Sequence, residues 1–159
     1  DMGSLVQEVE TIDYQGNQQR LSKDELSFSY RTSSLARQEL IILRTVLRFD
    51  PADKEEIAAR MKENKARRTR IQPMGLPSAG SVFRNPSQNY AGRLIEELGL
   101  KGQRIGDAMV STKHGNFIIN CGCATGGEIL TLIKTIRERV YEQKEIILVP
   151  EVLIIGEEG

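Results

Sequence analysis

The segment Ile71-Gln72-Pro73-Met74-Gly75-Leu76-Pro77-Ser78-Ala79-Gly80 most constrains the fold, because two prolines and two glycines in ten positions exclude a continuous helix or a central strand. It cannot be regular structure, and a domain boundary is expected there or just before the helix that precedes it. That helix has a strong start at Asp50-Pro51, an Asp cap followed by proline at the first helical position. It is expected to run to about Arg68, with Glu56/Arg60 and Glu63/Arg67 at supportive i,i+4 spacing. Its apolar face is thin (Ile57, Met61), which places it on the surface.

On the N-terminal side, Val6 to Asp13 reads as a strand running into the turn signal Tyr14-Gln15-Gly16-Asn17. Leu40 to Phe49 reads as a second strand. Between them, Phe28 to Ser34 is too polar for a core and too aromatic for a free linker. On the C-terminal side, Ala91, Leu94, Ile95 and Leu98 mark a short amphipathic helix, closed by Gly99-Leu100. Strands are expected over Ile105–Ser111 and Asn116–Asn120, joined by a turn around Lys113-His114-Gly115. Thr125-Gly126-Gly127-Glu128 is a capping box opening the clearest helix, with Ile129, Ile133, Ile136 and Val140 on one side. Ile146 to Ile155 reads as a last strand, with Pro150 suggesting an edge or a strand start. Strands and helices mix without strict βαβ alternation, so the expected class is α+β.

Charge narrows the functional classes. The 22 Lys and Arg balance the 22 Asp and Glu, which argues against a global attraction to nucleic acid or membrane. No apolar run reaches the roughly 20 residues that span a bilayer. The chain starts at Asp1, without an initiator Met or a signal-like layout, and reads as a piece of a longer polypeptide. Cys121 and Cys123 with one His cannot assemble a Cys-rich zinc site or a disulfide framework, so no metal is expected and the compartment reads as reducing.

Four places call for a reason. Arg31 after Tyr30 offers a planar cation suited to carboxylate or phosphate, or is a surface loop residue. Ser78-Ala79-Gly80-Ser81-Val82-Phe83-Arg84-Asn85-Pro86 combines small residues with a hydroxyl, a cation and an amide, and is either a ligand-contacting loop or a structural turn. Glu151 alternates with Val149, Leu153 and Ile155. A carboxylate on such a face is costly to ionise without a cation, an environment used for catalytic acids; alternatively the face looks at solvent. Lys65-Ala66-Arg67-Arg68-Thr69-Arg70 is a phosphate or nucleic-acid patch, or the basic end of an exposed helix. His114 has no visible partner.

In order, these segments resemble the signature of the UDP-N-acetylenolpyruvoylglucosamine reductases known as MurB. The resemblance is carried by Gln72-Pro73 through Pro77–Pro86, by Ala91-Gly92-Arg93-Leu94-Ile95-Glu96, by Gly99–Gly102 and by Ile105–Ala108. Val110-Ser111-Thr112-Lys113-His114, Asn116–Asn120 and Pro150-Glu151-Val152 continue it, and Leu26–Ser33 is similar to the family's Tyr-Arg segment. It covers nearly the whole chain. It implies a MurB-like C-terminal substrate-binding domain over 51–159, preceded over 1–50 by the tail of an FAD-binding domain. The family's glycine-rich pyrophosphate-binding segments have no counterpart here, and the short connection from Arg31 to Ser81 matches the subclass without a tyrosine-bearing insertion.

The implied activity is NADPH-dependent, FAD-linked reduction of UDP-N-acetylglucosamine enolpyruvate, in the cytoplasm, with no nucleic-acid or membrane partner. Carried over by position, Ser81 would give a proton to substrate C2 after hydride reaches C3. Arg31 and Glu151 would stabilise the enolate-like intermediate. Tyr30 and Asn85 would help hold the substrate. Arg84 stands where many relatives carry Lys, and would meet a phosphate. Rival expectations are a UDP-sugar-binding fragment without catalysis, a different FAD-linked oxidoreductase, and a nucleic-acid-binding fragment built on Lys65–Arg70.

Overall fold

The computed structural model describes residues 2–156, with the backbone alone at residue 37. The chain divides into two compact units, the first ending at Ile57 and the second starting at Ala58. The outer limits of the expected domain ranges, Asp1 and 157–159, lie outside the described residues.

The first unit opens with a helical turn, α1 (Met2–Leu5), followed by β1 (Val6–Asp13) and β2 (Gln18–Ser22). Gly16 at φ +90° makes the connecting turn, and the Asp13 carboxylate accepts backbone N–H bonds from Gln15 and Asn17. A small hairpin of β3 (Phe28–Ser29) and β4 (Thr32–Ser33) precedes β5 (Leu40–Leu47). The main sheet has the antiparallel order β2-β1-β5. Val6 and Val9, three positions apart, would face opposite ways in a regular strand. A register shift at Gln7 turns both inward, where they meet Leu26. The polar Gln18–Ser22 strand was not expected from its sequence.

Helix α2 (Lys54–Ile71) begins later than expected. The cap is Asp53, whose Oδ1 accepts the Glu56 N–H at 3.0 Å, rather than Asp50, and the helix continues three residues beyond Arg68. No residue of α2 is buried, as its thin apolar face implies.

The second unit holds a four-stranded sheet ordered β6-β9-β8-β7, from β6 (Ser78–Ser81), β7 (Arg104–Ile105), β8 (Ala108–Val110) and β9 (Phe117–Asn120). Helices α3 (Ala91–Glu97) and α4 (Gly126–Lys144) complete it. Three expectations need correction. Ser78–Gly80 are regular structure after all: small side chains suit an edge strand, and Gly80 at φ +86° takes the irregularity in its register against β9. The strand over Ile105–Ser111 is split, because Gly106 at φ +54° and Asp107 turn β7 back onto β8. The long last strand shrinks to one bridge, Phe83 opposite Pro150.

The core gathers Val82, Phe83, Leu94, Ile95, Val110 and Ile118 against Leu132, Ile133, Ile136 and Val140 of α4. Thr125 and Glu128 form the expected capping box at its start. Burial of these side chains, about 1.5–3 kcal/mol each, is the main force holding the unit.

Candidate active site

Ser81 ends β6 as a half-buried residue paired with Phe117 of β9. The chain then leaves regular strand geometry, yet each backbone group finds a partner. Val82 N–H donates to the Asn116 carbonyl at 2.9 Å. The Asn116 side chain, 5% exposed, takes both sides of the next residue: Oδ1 accepts Phe83 N–H at 2.9 Å and Nδ2 donates to the Phe83 carbonyl at 2.8 Å. Asn116 was not expected as a site residue. A buried amide that replaces a strand neighbour leaves no periodic signal.

The same segment receives the C-terminal run. Arg84 N–H donates to the Val149 carbonyl at 2.9 Å, and Glu151 N–H donates to the Val82 carbonyl at 2.7 Å. These bonds flank the Phe83/Pro150 pair, so Pro150 stands where its missing N–H is not required. Glu151 is thereby placed one residue from Ser81 along this ladder and is half-buried.

The apolar face expected around Glu151 is not a buried one. Leu148 is fully buried and Val152 packs on the core, whereas Val149, Leu153 (88% exposed) and Ile155 (93% exposed) look outward. Only the alternate residues reach the core, and the run beyond Pro150 has no strand partner to keep its alternation.

Asn85 and Arg84 lie just past the bridge. The Asn85 Oδ1 accepts the Ala91 N–H at 3.1 Å, satisfying a first-turn donor of α3, and Arg84 is exposed. A cleft of about 900 Å³ has Ser78, Ala79, Val82, Asn120, Gly126 and Val152 among its walls, so the chain neighbours of Ser81 and Glu151 line it, whereas Ser81, Arg84, Asn85 and Glu151 are not among its lining residues. Small residues on both β6 and the first turn of α4 keep it open.

In the first unit, Tyr30 and Arg31 are the two turn residues between β3 and β4, both exposed, and Arg31 has φ +60°. A left-handed arginine is uncommon and marks a constrained tip. Lys65–Arg70 lies fully exposed on α2, which contains no aromatic side chain. Lys113 Nζ caps a carbonyl of that helix, Thr69, at 2.6 Å. His114 has a structural role: Nδ1 accepts the Asn116 N–H at 3.1 Å and its ring meets Phe117 edge-on. Burial, and then the positive charge of Lys101, hold its pKa below the usual histidine value. Among the described residues no group of three His, Cys, Asp or Glu could hold a metal, and no helix is long and apolar enough to cross a membrane.

Residues 72–155 match the family model described as UDP-N-acetylenolpyruvoylglucosamine reductase, C-terminal domain. The chain is 43% identical over 156 residues to UDP-N-acetylenolpyruvoylglucosamine reductase 2 of Symbiobacterium thermophilum, covering 98% of this chain and 51% of that protein. It is 47% identical over 138 residues to the Bacillus licheniformis reductase, covering 86% and 75% respectively. The crystal structure of the Thermus caldophilus reductase (MurB) superposes with a TM-score of 0.79 at 40% identity, over 94% of this chain and 52% of that one. The chain spans about half the length of the first of these relatives and of the solved structure. With the family's C-terminal domain matched across most of the second unit, this chain belongs to the UDP-N-acetylenolpyruvoylglucosamine reductase family.

Proposed function

We propose that these residues form the substrate side of an NADPH-dependent, FAD-linked oxidoreductase. Its reaction is the reduction of UDP-N-acetylglucosamine enolpyruvate to UDP-N-acetylmuramate, a step of peptidoglycan synthesis, in the cytoplasm. In this reading 51–159 is the substrate-binding domain and 1–50 the tail of the flavin-binding domain. FAD and NADPH are held by the half of the family's length that this chain does not span. In support of this division, the left-handed glycines Gly16, Gly80, Gly99, Gly102, Gly106 and Gly156 stand singly in separate turns rather than in one glycine-rich loop.

What remains for this chain is handling charge and a proton. As the enolpyruvyl double bond is reduced at C3, negative charge grows on C2 and the attached carboxylate. Arg31 supplies a fixed cation for that charge, and Glu151 a group that, when protonated, donates a hydrogen bond to it. The Ser81 hydroxyl donates the proton to C2. Tyr30 and Asn85 help hold the substrate, and Arg84 meets a phosphate of the UDP. The observation that supports the reading is the Glu151 N–H bond to the carbonyl of Val82, which sets Glu151 opposite the residue that follows Ser81, on a ladder whose Val82 and Val152 line an open cleft.

The deciding experiment is Ser81→Ala in the flavin-loaded full-length protein, with the two half-reactions followed separately by stopped flow. Reduction of the enolpyruvyl group should slow by about 10²–10⁴-fold, while flavin reduction by NADPH stays near normal. If NADPH oxidation slows equally, Ser81 is structural and the reading fails.

A further inference from the structure

Cys121, Gly122 and Cys123 make the bend between β9 and α4, and the backbone of this bend is pinned from two sides. Cys121 N–H donates to the Asp107 carbonyl at 2.9 Å, and Cys123 N–H donates to Asp107 Oδ2 at 2.8 Å. Asn120 Oδ1 accepts from Gly122 N–H at 2.9 Å and Ala124 N–H at 3.0 Å. Asp107 is itself held by Arg104. A Cβ on Gly122 would stand 2.5 Å from Asp107 Oδ2, so a larger residue there would push that carboxylate away from the Cys123 N–H it accepts.

Both cysteines are free thiols, Cys123 exposed and Cys121 half-buried. Consecutive Cα atoms are about 3.8 Å apart, so residues two apart on a bend fall near the ~4.4–6.8 Å that a disulfide spans. Two thiols on one pinned bend, one exposed and one half-buried, differ in their access to solvent, which suits the exposed one to entry and the other to resolution.

We propose that Cys121-Gly122-Cys123 is a dithiol site for thiol–disulfide exchange, with a low-molecular-weight disulfide such as oxidised glutathione as co-reactant. The Cys123 thiolate attacks one sulfur of the disulfide, whose S–S bond breaks. A mixed disulfide forms on Cys123, and the first glutathione leaves as a thiol with the proton Cys123 lost. The Cys121 thiolate then attacks Cys123 Sγ, the Cys121–Cys123 bond forms, and the second glutathione leaves with the proton from Cys121. The protein gives up two electrons and two protons, and the small disulfide is reduced to two thiols. The clamp by Asp107 and Asn120 keeps Cys121 beside Cys123, so the second, intramolecular step outruns capture of another thiol. Asn120 and Gly126 flank this bend and line the cleft, which exposes the cleft wall to its redox state. The site stands independently of the reductase reading.

The test incubates the 159-residue chain in buffers of graded oxidised and reduced glutathione, followed by acid quench, alkylation and intact mass measurement. The expected product is lighter by two hydrogens, carries no glutathione, is restored by dithiothreitol, and has a midpoint following the square of reduced over oxidised glutathione. Cys121→Ser should instead retain one glutathione, on Cys123. Asp107→Ala and Gly122→Ala each disturb the clamp by a different route, and both should raise the steady-state mixed disulfide several-fold. The proposal is overturned by glutathione retained on both wild-type cysteines, by covalent dimers as the main product, by no reaction, or by an unchanged mixed disulfide in both clamp variants.

Discussion

Asn116 and Phe83 are joined by two hydrogen bonds in opposite directions, 2.9 Å to the Phe83 N–H and 2.8 Å to its carbonyl, where β6 has already ended. An amide side chain completes the sheet there, and the Ser81–Phe83 backbone gains a partner that β9 no longer supplies.

Asn116→Ala should therefore destabilise the second unit by about 3 kcal/mol. The substitution strands a buried donor and a buried acceptor, each costing about 1–3 kcal/mol, partly relieved by water. Urea unfolding should show a lower midpoint at unchanged slope. A midpoint equal to wild type would mean that Phe83 finds other partners.

Several elements are legible in the amino-acid pattern alone. The β1 limits follow from the turn at Tyr14–Asn17, and α4 follows from its capping box and its apolar spacing. Asn116 is not legible, because its meaning depends on a residue 33 positions away. β2 is hidden for a different reason: four of its five residues are exposed, so backbone pairing alone holds it. The last strand is read too long, since alternation persists in the sequence after Pro150 although, of the run Ile146 to Ile155, only Ile146, Leu148 and Val152 find the core. At the candidate site, Ser81 and Glu151 stand out one at a time, and only the family's order of motifs relates them.

Glu151→Gln should leave the fold intact, because glutamine keeps the side chain's shape and part of its hydrogen bonding, and the link from this residue to Val82 uses its backbone N–H. In the flavin-loaded full-length protein, reduction of the enolpyruvyl group should nevertheless fall at least tenfold. Wild-type turnover in that variant would remove Glu151 from the proposed chemistry.

The 159-residue chain alone should not retain FAD. After incubation with excess FAD and gel filtration, the protein peak should show no stoichiometric flavin band near the visible maximum. Its presence would place the cofactor's main contacts within these residues and contradict the proposed division of labour.

His114 should make stability pH-dependent in a defined window. Burial and Lys101 depress its folded pKa below the ordinary 6.5, with Glu96 opposing. The unfolded chain thus binds its proton first as pH falls. The contribution is complete above pH 6.5 and is lost as pH drops from there through the folded value. Protonating Nδ1 would also displace the Asn116 N–H. The carboxylates with lowered values, such as Asp53 and Asp107, act only at lower pH. Urea midpoints between pH 7 and pH 5 should fall in wild type, and fall less in His114→Gln. As this is the chain's single histidine, its ring resonances report the titration directly.

The two units are unequal in what they bury. Among the described residues, one cluster has thirteen buried apolar side chains and the other has three, Val6, Val9 and Leu26. Resistance to local opening scales with such burial. Amide protons of β1 and β5 should accordingly exchange with solvent long before those of β8, β9 and α4. On a slow unfolding path, the turn bearing Tyr30 and Arg31 would lose its shape while the ladder of Ser81 and Glu151 still stood. The reaction proposed for these residues would then be limited by the life of its weaker scaffold, and heat would silence it before the larger core melted.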